Sequence, residues 1–213
     1  MSRRYLLERI IMKLYFSPGA CSLSPHIVLQ ESGLSFTTEK VDLRSKQTAS
    51  GADYLAINPK GYVPALETDE GVLLTEGPAI VQYLADKVPA KNLAPANGTI
   101  ERYQMASWLN FIGTEIHKNY SPLFNPASSD ELKAMAKQNL TKRYGYVERM
   151  LEGRDYLLGT QFSVADAYLF VITNWAGMHK LDMSAFPNVC AFQQRVSARP
   201  GVQAALKAEG LIP

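Results

Sequence analysis

The hydrophobic periodicity changes once along the chain, and that change constrains the fold more than any other feature. Residues 12–88 alternate short β-prone runs with helical spacing, whereas residues 99–213 carry helical spacing throughout. Between them, 89–98 has prolines at Pro89 and Pro95 and no periodicity, the character of a linker. A strand-bearing half followed by an all-helical half predicts two domains of different class, at 12–88 and 99–213. Residues 1–11 precede the pattern and read as an N-terminal extension holding Arg3, Arg4 and Arg9.

In the first half, Lys13-Leu14-Tyr15-Phe16 is a β-prone run closed by the turn cluster Ser17-Pro18-Gly19. Helical spacing from Ser22 places Leu23, Ile27, Val28 and Leu34 together, with Gly33 as the stop. A second strand at 36–41 completes a βαβ unit, which requires parallel strands and a right-handed crossover. A polar loop at 44–50 and a short helix at 51–57 follow. Residues 63–68 and 72–75 then flank Asp69-Glu70-Gly71 as a hairpin. Glu76-Gly77-Pro78 opens a helix whose Ile80, Val81, Leu84, Ala85 and Val88 form one buried stripe. The order predicted is βαβαββα.

The second half reads as long helices at 99–120, 130–151 and 163–178, with shorter ones after Pro187 and Pro200. On the first, Met105, Trp108, Leu109, Ile112 and Ile116 share a face, and Asn110, Thr114 and His117 fall nearly opposite. That polar trio either faces solvent or walls a cleft between the domains. Ser163-Val164-Ala165-Asp166 fits a capping box with Asp in the Glu position, ahead of a stripe of Val164, Tyr168, Val171, Ile172 and Trp175.

A net charge of +2 over 213 residues argues against a nucleic-acid partner. No apolar run reaches the ~20 residues that cross a bilayer, and Glu8, Arg9 and Lys13 break any signal-peptide core. Cys21 and Cys190 match neither a disulfide framework nor zinc spacing, and His26 and His179 add no metal ligand pattern.

Three positions can carry chemistry. Cys21 sits between the first turn and a helix, where the dipole and free N–H groups lower a thiol pKa; a small buried side chain is the alternative. Gly77 at a helix start can accept a ligand carboxylate, and Glu76 beside it either caps the helix or binds an ammonium group. Val63-Pro64 begins a strand where the proline removes a ladder donor. Trans is the ordinary state of such a bond, so spacing alone does not predict cis.

Taken in order, Lys13-Leu14-Tyr15-Phe16-Ser17-Pro18-Gly19-Ala20-Cys21-Ser22-Leu23-Ser24-Pro25-His26, then Asn58-Pro59-Lys60-Gly61-Tyr62-Val63-Pro64-Ala65-Leu66, then Thr75-Glu76-Gly77-Pro78-Ala79-Ile80 resemble the cytosolic glutathione transferases, beta class. The likeness covers about 12–213. It implies a thioredoxin-like first domain, a helical second domain forming the electrophile pocket, a homodimer and a cytoplasmic enzyme. Such an enzyme conjugates glutathione, a co-substrate rather than a cofactor, to a hydrophobic, aromatic or halogenated electrophile. Thiol–disulfide exchange through Cys21 is a second branch. Rival readings on the same fold are reductive dehalogenation, isomerisation and non-catalytic ligand binding.

The resemblance also assigns residues. Cys21 lies at the glutathione sulfur, Val63 pairs with the cysteinyl backbone next to cis-Pro64, and Glu76 with Gly77 form the γ-glutamyl site. Lys46 is the candidate for the glycine carboxylate. Asn110, Thr114 and His117 become the cleft wall, with Cys21 and His117 catalytic and Lys118 a secondary candidate. Tyr120, Phe124 and Trp175 are candidates for the electrophile pocket. Gly77 departs from the Ser common in the wider family, which removes one hydroxyl bond to the γ-glutamyl carboxylate.

Overall fold

The computed structural model describes residues 11–213, so the extension expected at 1–11 lies outside the described residues apart from Ile11. The first unit runs β1 (Met12–Phe16), α1 (Leu23–Ser32), β2 (Phe36–Asp42), β3 (Gln47–Thr48), α2 (Tyr54–Ile57), β4 (Ala65–Glu67), β5 (Leu73–Thr75) and α3 (Gly77–Lys87). Its sheet has the order β3-β2-β1-β4-β5. The β1–β2 pair is parallel, as the βαβ unit requires, and the other pairs are antiparallel. This is the thioredoxin-like arrangement.

The strand alternation of β1 divides the core. Leu14 and Phe16 enter the large cluster with Leu23, Ile27 and Ile80, while Tyr15 joins Val41, Tyr54, Val63 and Ala65 on the other face. Helix α1 stops at Gly33, whose φ of 72° is left-handed and whose N–H bonds Leu29 O at 3.2 Å.

The polar stretch 44–50, expected as a loop, contains β3. Asp42 Oδ1 accepts from the N–H groups of Arg44 and Ser45 at 2.8 and 3.2 Å, folding the chain back. Gln47 and Thr48 then take the free edge opposite Asp42 and Val41. A two-residue strand is too short for periodicity to reveal.

The second unit comprises α4 (Ile100–Phe111), a π turn (Ile112–His117), α5 (Lys118–Phe124), α6 (Asp130–Met150), α7 (Val164–Met178), α8 (Pro187–Ser197) and α9 (Pro200–Ala208). The single helix expected at 99–120 is therefore interrupted by a π turn and continues to Phe124, with Pro122 inside it. A short 3₁₀ turn, Pro89–Lys91, lies between the units. Helix α7 is apolar on nearly every side and packs against α1 and α3, so it belongs to both units' core. Two bidentate ion pairs add to this join: Asp86 with Arg102 at 2.7 and 2.8 Å, and Glu31 with Arg199 at 2.9 and 2.7 Å.

Among the described residues no helix is long and apolar enough to cross a membrane.

Candidate active site

The loop after β1 is held by its own Ser22 and by two residues of the second unit. Ser22 Oγ accepts from Ser17 N at 3.1 Å and donates to Ser17 O at 3.3 Å. Gly19, at φ 70°, donates its N–H to Glu209 Oε2 and accepts from Trp175 Nε1, both at 2.9 Å. Glu209 also meets buried His26 Nδ1 at 2.9 Å. These bonds fix the backbone immediately before Cys21.

Cys21 is partly buried, and its thiol donates to Val63 O at 3.3 Å. Burial pushes this thiol up to about 12, outweighing the backbone N–H groups of Cys21 and Ser22 that favour the thiolate. The lowered pKa expected from the helix start is therefore corrected: desolvation exceeds the dipole and N–H contribution.

The Val63–Pro64 bond is cis. Upstream of it, Tyr62 O accepts from Tyr54 Oη and Asn58 Nδ2, both at 2.8 Å, which anchors the loop beneath Val63. Among the described residues nothing accepts a hydrogen bond from the Val63 N–H.

Glu76 precedes α3 with φ 70°, a strained value for a residue with a Cβ, and such outliers cluster at functional sites. Its carboxylate makes no capping bond to the helix. Instead Lys60 Nζ donates to Glu76 Oε1 at 2.6 Å and to Thr75 Oγ1 at 3.0 Å. Gly77 begins α3, where the first backbone N–H groups have no intrahelical acceptor and Glu76 supplies no side-chain cap.

The opposite wall comes from α4, the π turn and α5. Asn110, Thr114, His117, Lys118 and Ser121 all reach the same cavity. A π turn widens the local spacing, and such turns are frequent at functional sites. His117 Nδ1 lies 2.7 Å from Tyr168 Oη on α7, and its ring stands edge-on to Trp175 at 5.0 Å. Burial, with Lys118 beside it, lowers the imidazole to about 4, so the ring is neutral at pH 7.

The enclosed space is about 500 Å³ and lies between the two units. Of the residues singled out in the sequence, Cys21, Val63, Pro64, Glu76, Gly77, Asn110, Thr114, His117 and Lys118 line it. Lys46 does not; its Nζ donates to Gly61 O at 2.8 Å. Trp175, Tyr120 and Phe124 also stay outside the lining. Tyr120 is fully buried with its hydroxyl on Tyr144 at 2.9 Å, and the Trp175 N–H is committed to Gly19.

Lys60, Tyr62 and Tyr168 are lining residues that the sequence reading passed over. Tyr168 lies on the apolar stripe of α7, which concealed its hydroxyl. A cavity of about 650 Å³ against α4 and α6 is larger, but none of these residues faces it. Among the described residues no group of three or more His, Cys, Asp and Glu could hold a metal ion.

Residues 19–87 match the glutathione S-transferase N-terminal domain and residues 111–200 its C-terminal domain. Glutathione S-transferase GstA of Escherichia coli O157:H7 is 49% identical over 94% of this chain and 100% of its own. The solved ternary complex of BphK, a bacterial GST, is 62% identical with a TM-score of 0.92, covering 93% of this chain and 99% of that one. A bacterial beta-class glutathione S-transferase of Sphingomonas chungbukensis is 50% identical with a TM-score of 0.91, covering 94% and 100%. With two domain matches in order and half the residues shared across nearly its full length, the chain belongs to the glutathione S-transferase family, in its bacterial beta class.

Proposed function

We propose that this glutathione S-transferase binds glutathione with its sulfur beside Cys21 and conjugates the thiolate to an electrophilic aromatic or halogenated small molecule. One observation carries the reading: a single cleft joins Cys21, the cis Val63–Pro64 corner and the Glu76-Gly77 helix start to Asn110, Thr114 and His117 of the helical half. In this reading 12–88 is the glutathione domain, 89–98 the linker and 99–213 the electrophile domain. The protein works as a cytoplasmic homodimer.

The γ-glutamyl carboxylate meets the Gly77 N–H at the start of α3, where helix N-termini gather anions. The γ-glutamyl ammonium meets Glu76, replacing the Lys60 contact. The cysteinyl unit pairs with Val63, whose N–H has no partner among the described residues. Lys46 reaches the glycine carboxylate by leaving Gly61 O.

At pH 7 Cys21 is a neutral thiol and His117 a neutral imidazole. Each can donate a hydrogen bond to a glutathione thiolate, Cys21 by turning its S–H away from Val63 O, and this lowers the thiol pKa of the bound tripeptide. The glutathione proton leaves to solvent. Its sulfur then forms a C–S bond to the electrophilic carbon, and a halide departs with the bonding electron pair. Thiol–disulfide exchange needs Cys21 itself to ionise, which burial opposes, so conjugation is the principal branch.

A conjugation assay with a halogenated nitroaromatic, at varied glutathione, tests the reading. Saturation in glutathione is expected, with Glu76→Gln raising KM by roughly tenfold through loss of the ammonium contact. Turnover indistinguishable from the uncatalysed reaction would overturn it.

A further inference from the structure

His117 presents one ring nitrogen to Tyr168, and what the other presents to the cleft depends on which nitrogen holds the hydrogen. Nδ1 lies 2.7 Å from Tyr168 Oη, and both residues line the cavity. Nε2 has no hydrogen-bond partner among the described residues and is not sealed from solvent. The ring stands edge-on to both Tyr168 and Trp175, with Nδ1 on the Tyr168 hydroxyl.

The chemistry of the pair selects a direction. A phenol is a stronger acid than a neutral imidazole N–H, and an imidazole nitrogen is a stronger base than a phenolic oxygen. The favoured bond is therefore O–H···N, with Tyr168 donating to Nδ1. That leaves the hydrogen of neutral His117 on Nε2. Tyr168 itself stays protonated, because its burial and the nearby Glu76 carboxylate oppose the phenolate.

We propose that Tyr168 is a positioning residue: its hydroxyl fixes the Nε2–H tautomer of His117, which makes His117 a hydrogen-bond donor toward the glutathione sulfur. Without the hydroxyl, the two tautomers become comparable, and the Nδ1–H form turns an acceptor lone pair toward the thiolate. The inference rests on the glutathione reading of the cleft. The other charged or titratable groups around His117 are Lys118 beside it, Cys21 before α1, and Glu76 with Lys60 at the start of α3. None of them contacts Nδ1.

The test is the Tyr168→Phe variant, which keeps the ring and removes the hydroxyl, measured in wild-type and His117→Gln backgrounds. A Gln amide places an N–H donor near the Nε2 position and has no tautomer to choose. The readouts are the pH profile of kcat/KM and the ultraviolet titration of thiolate in bound glutathione. In the wild-type background Tyr168→Phe raises the apparent thiol pKa by about 0.3 pH unit, the cost of selecting one of two comparable tautomers. That gives roughly twofold lower kcat/KM on the acid side, convergence at high pH and a glutathione KM that is essentially unchanged. In the His117→Gln background the same substitution changes nothing.

An equal loss at every pH, or the same loss in both backgrounds, would mark Tyr168 as merely structural and overturn the inference. An unshifted profile in Tyr168→Phe overturns it as well. Absence of any thiolate titration in the unmodified protein would instead sink the glutathione reading, and this inference with it.

Discussion

Gly19 donates its backbone N–H to Glu209 at 2.9 Å, across 190 positions of sequence, and so ties the loop before Cys21 to the end of α9. Glu209 is 7% exposed, and its second oxygen meets His26 Nδ1 at 2.9 Å. The start of the first unit thus depends on a carboxylate from the second.

Glu209→Ala should leave both a backbone N–H and a histidine nitrogen buried without partners. Unfolding in urea is expected to lose about 2–4 kcal/mol of stability, a buried unsatisfied group costing about 1–3 kcal/mol. Glu209→Gln keeps one oxygen and should lose less. Equal stability of Glu209→Ala and wild type would mean that Gly19 is held by its other contacts alone.

Gly77→Ser should tighten glutathione binding. A Cβ at Gly77 would stand 3.7 Å from Pro64 Cγ and 3.9 Å from Ser24 Oγ, ordinary contact distances that require no shift. The added hydroxyl can donate to a γ-glutamyl carboxylate, and a charge-assisted bond is worth roughly tenfold in Kd. Calorimetric titration with glutathione measures this. A weaker Kd would place the carboxylate away from the start of α3.

Much of this site was legible because its parts are local motifs. The turn before Cys21, the Val63-Pro64 corner and the Glu76-Gly77-Pro78 helix start each occupy a few consecutive residues, and the fold gathers them at one cleft. What stayed hidden depends on three-dimensional surroundings. The sequence places Cys21 at a helix start but does not reveal the Val63 carbonyl or the burial that raises its pKa. Tyr168 shares a stripe with core residues, and only the meeting of α7 with the π turn brings its hydroxyl to His117. Periodicity drew a single helix through Ile112–His117, because a few residues of π spacing leave the long apolar stripe intact.

Cys21 should alkylate slowly in the ligand-free protein. A thiol pKa near 12 rather than 8.5 lowers the thiolate fraction at pH 7 by about three orders of magnitude. The more basic thiolate regains roughly 40-fold in intrinsic nucleophilicity, so the net rate is roughly 10²-fold below that of free cysteine. Mass spectrometry of tryptic peptides after timed iodoacetamide treatment separates Cys21 from Cys190. Labelling of Cys21 at the rate of a free thiol would show that its environment favours the thiolate after all.

Asp166 and His117 should drive the pH dependence of stability in opposite directions. Asp166 accepts from Leu157 N, Ser163 N and Ser163 Oγ at 2.7–2.8 Å, yet burial raises its carboxyl to about 6. Between about pH 4 and 6 the folded form keeps a proton that the unfolded chain releases. Its contribution therefore falls by about 3 kcal/mol as pH rises through that window. His117 behaves inversely: with a folded pKa of about 4, it is neutral where the unfolded chain still binds a proton. Its contribution rises by about 3 kcal/mol between pH 4 and 6.5.

The two slopes nearly cancel in the wild type and are exposed by single substitutions. Relative to wild type, Asp166→Asn should grow more stable as pH rises from 4 to 6, whereas His117→Gln should grow less stable. Urea unfolding at half-unit pH intervals measures both differences. Parallel curves for either variant would show that its group titrates alike in the folded and unfolded chain, and would remove the burial argument for that residue.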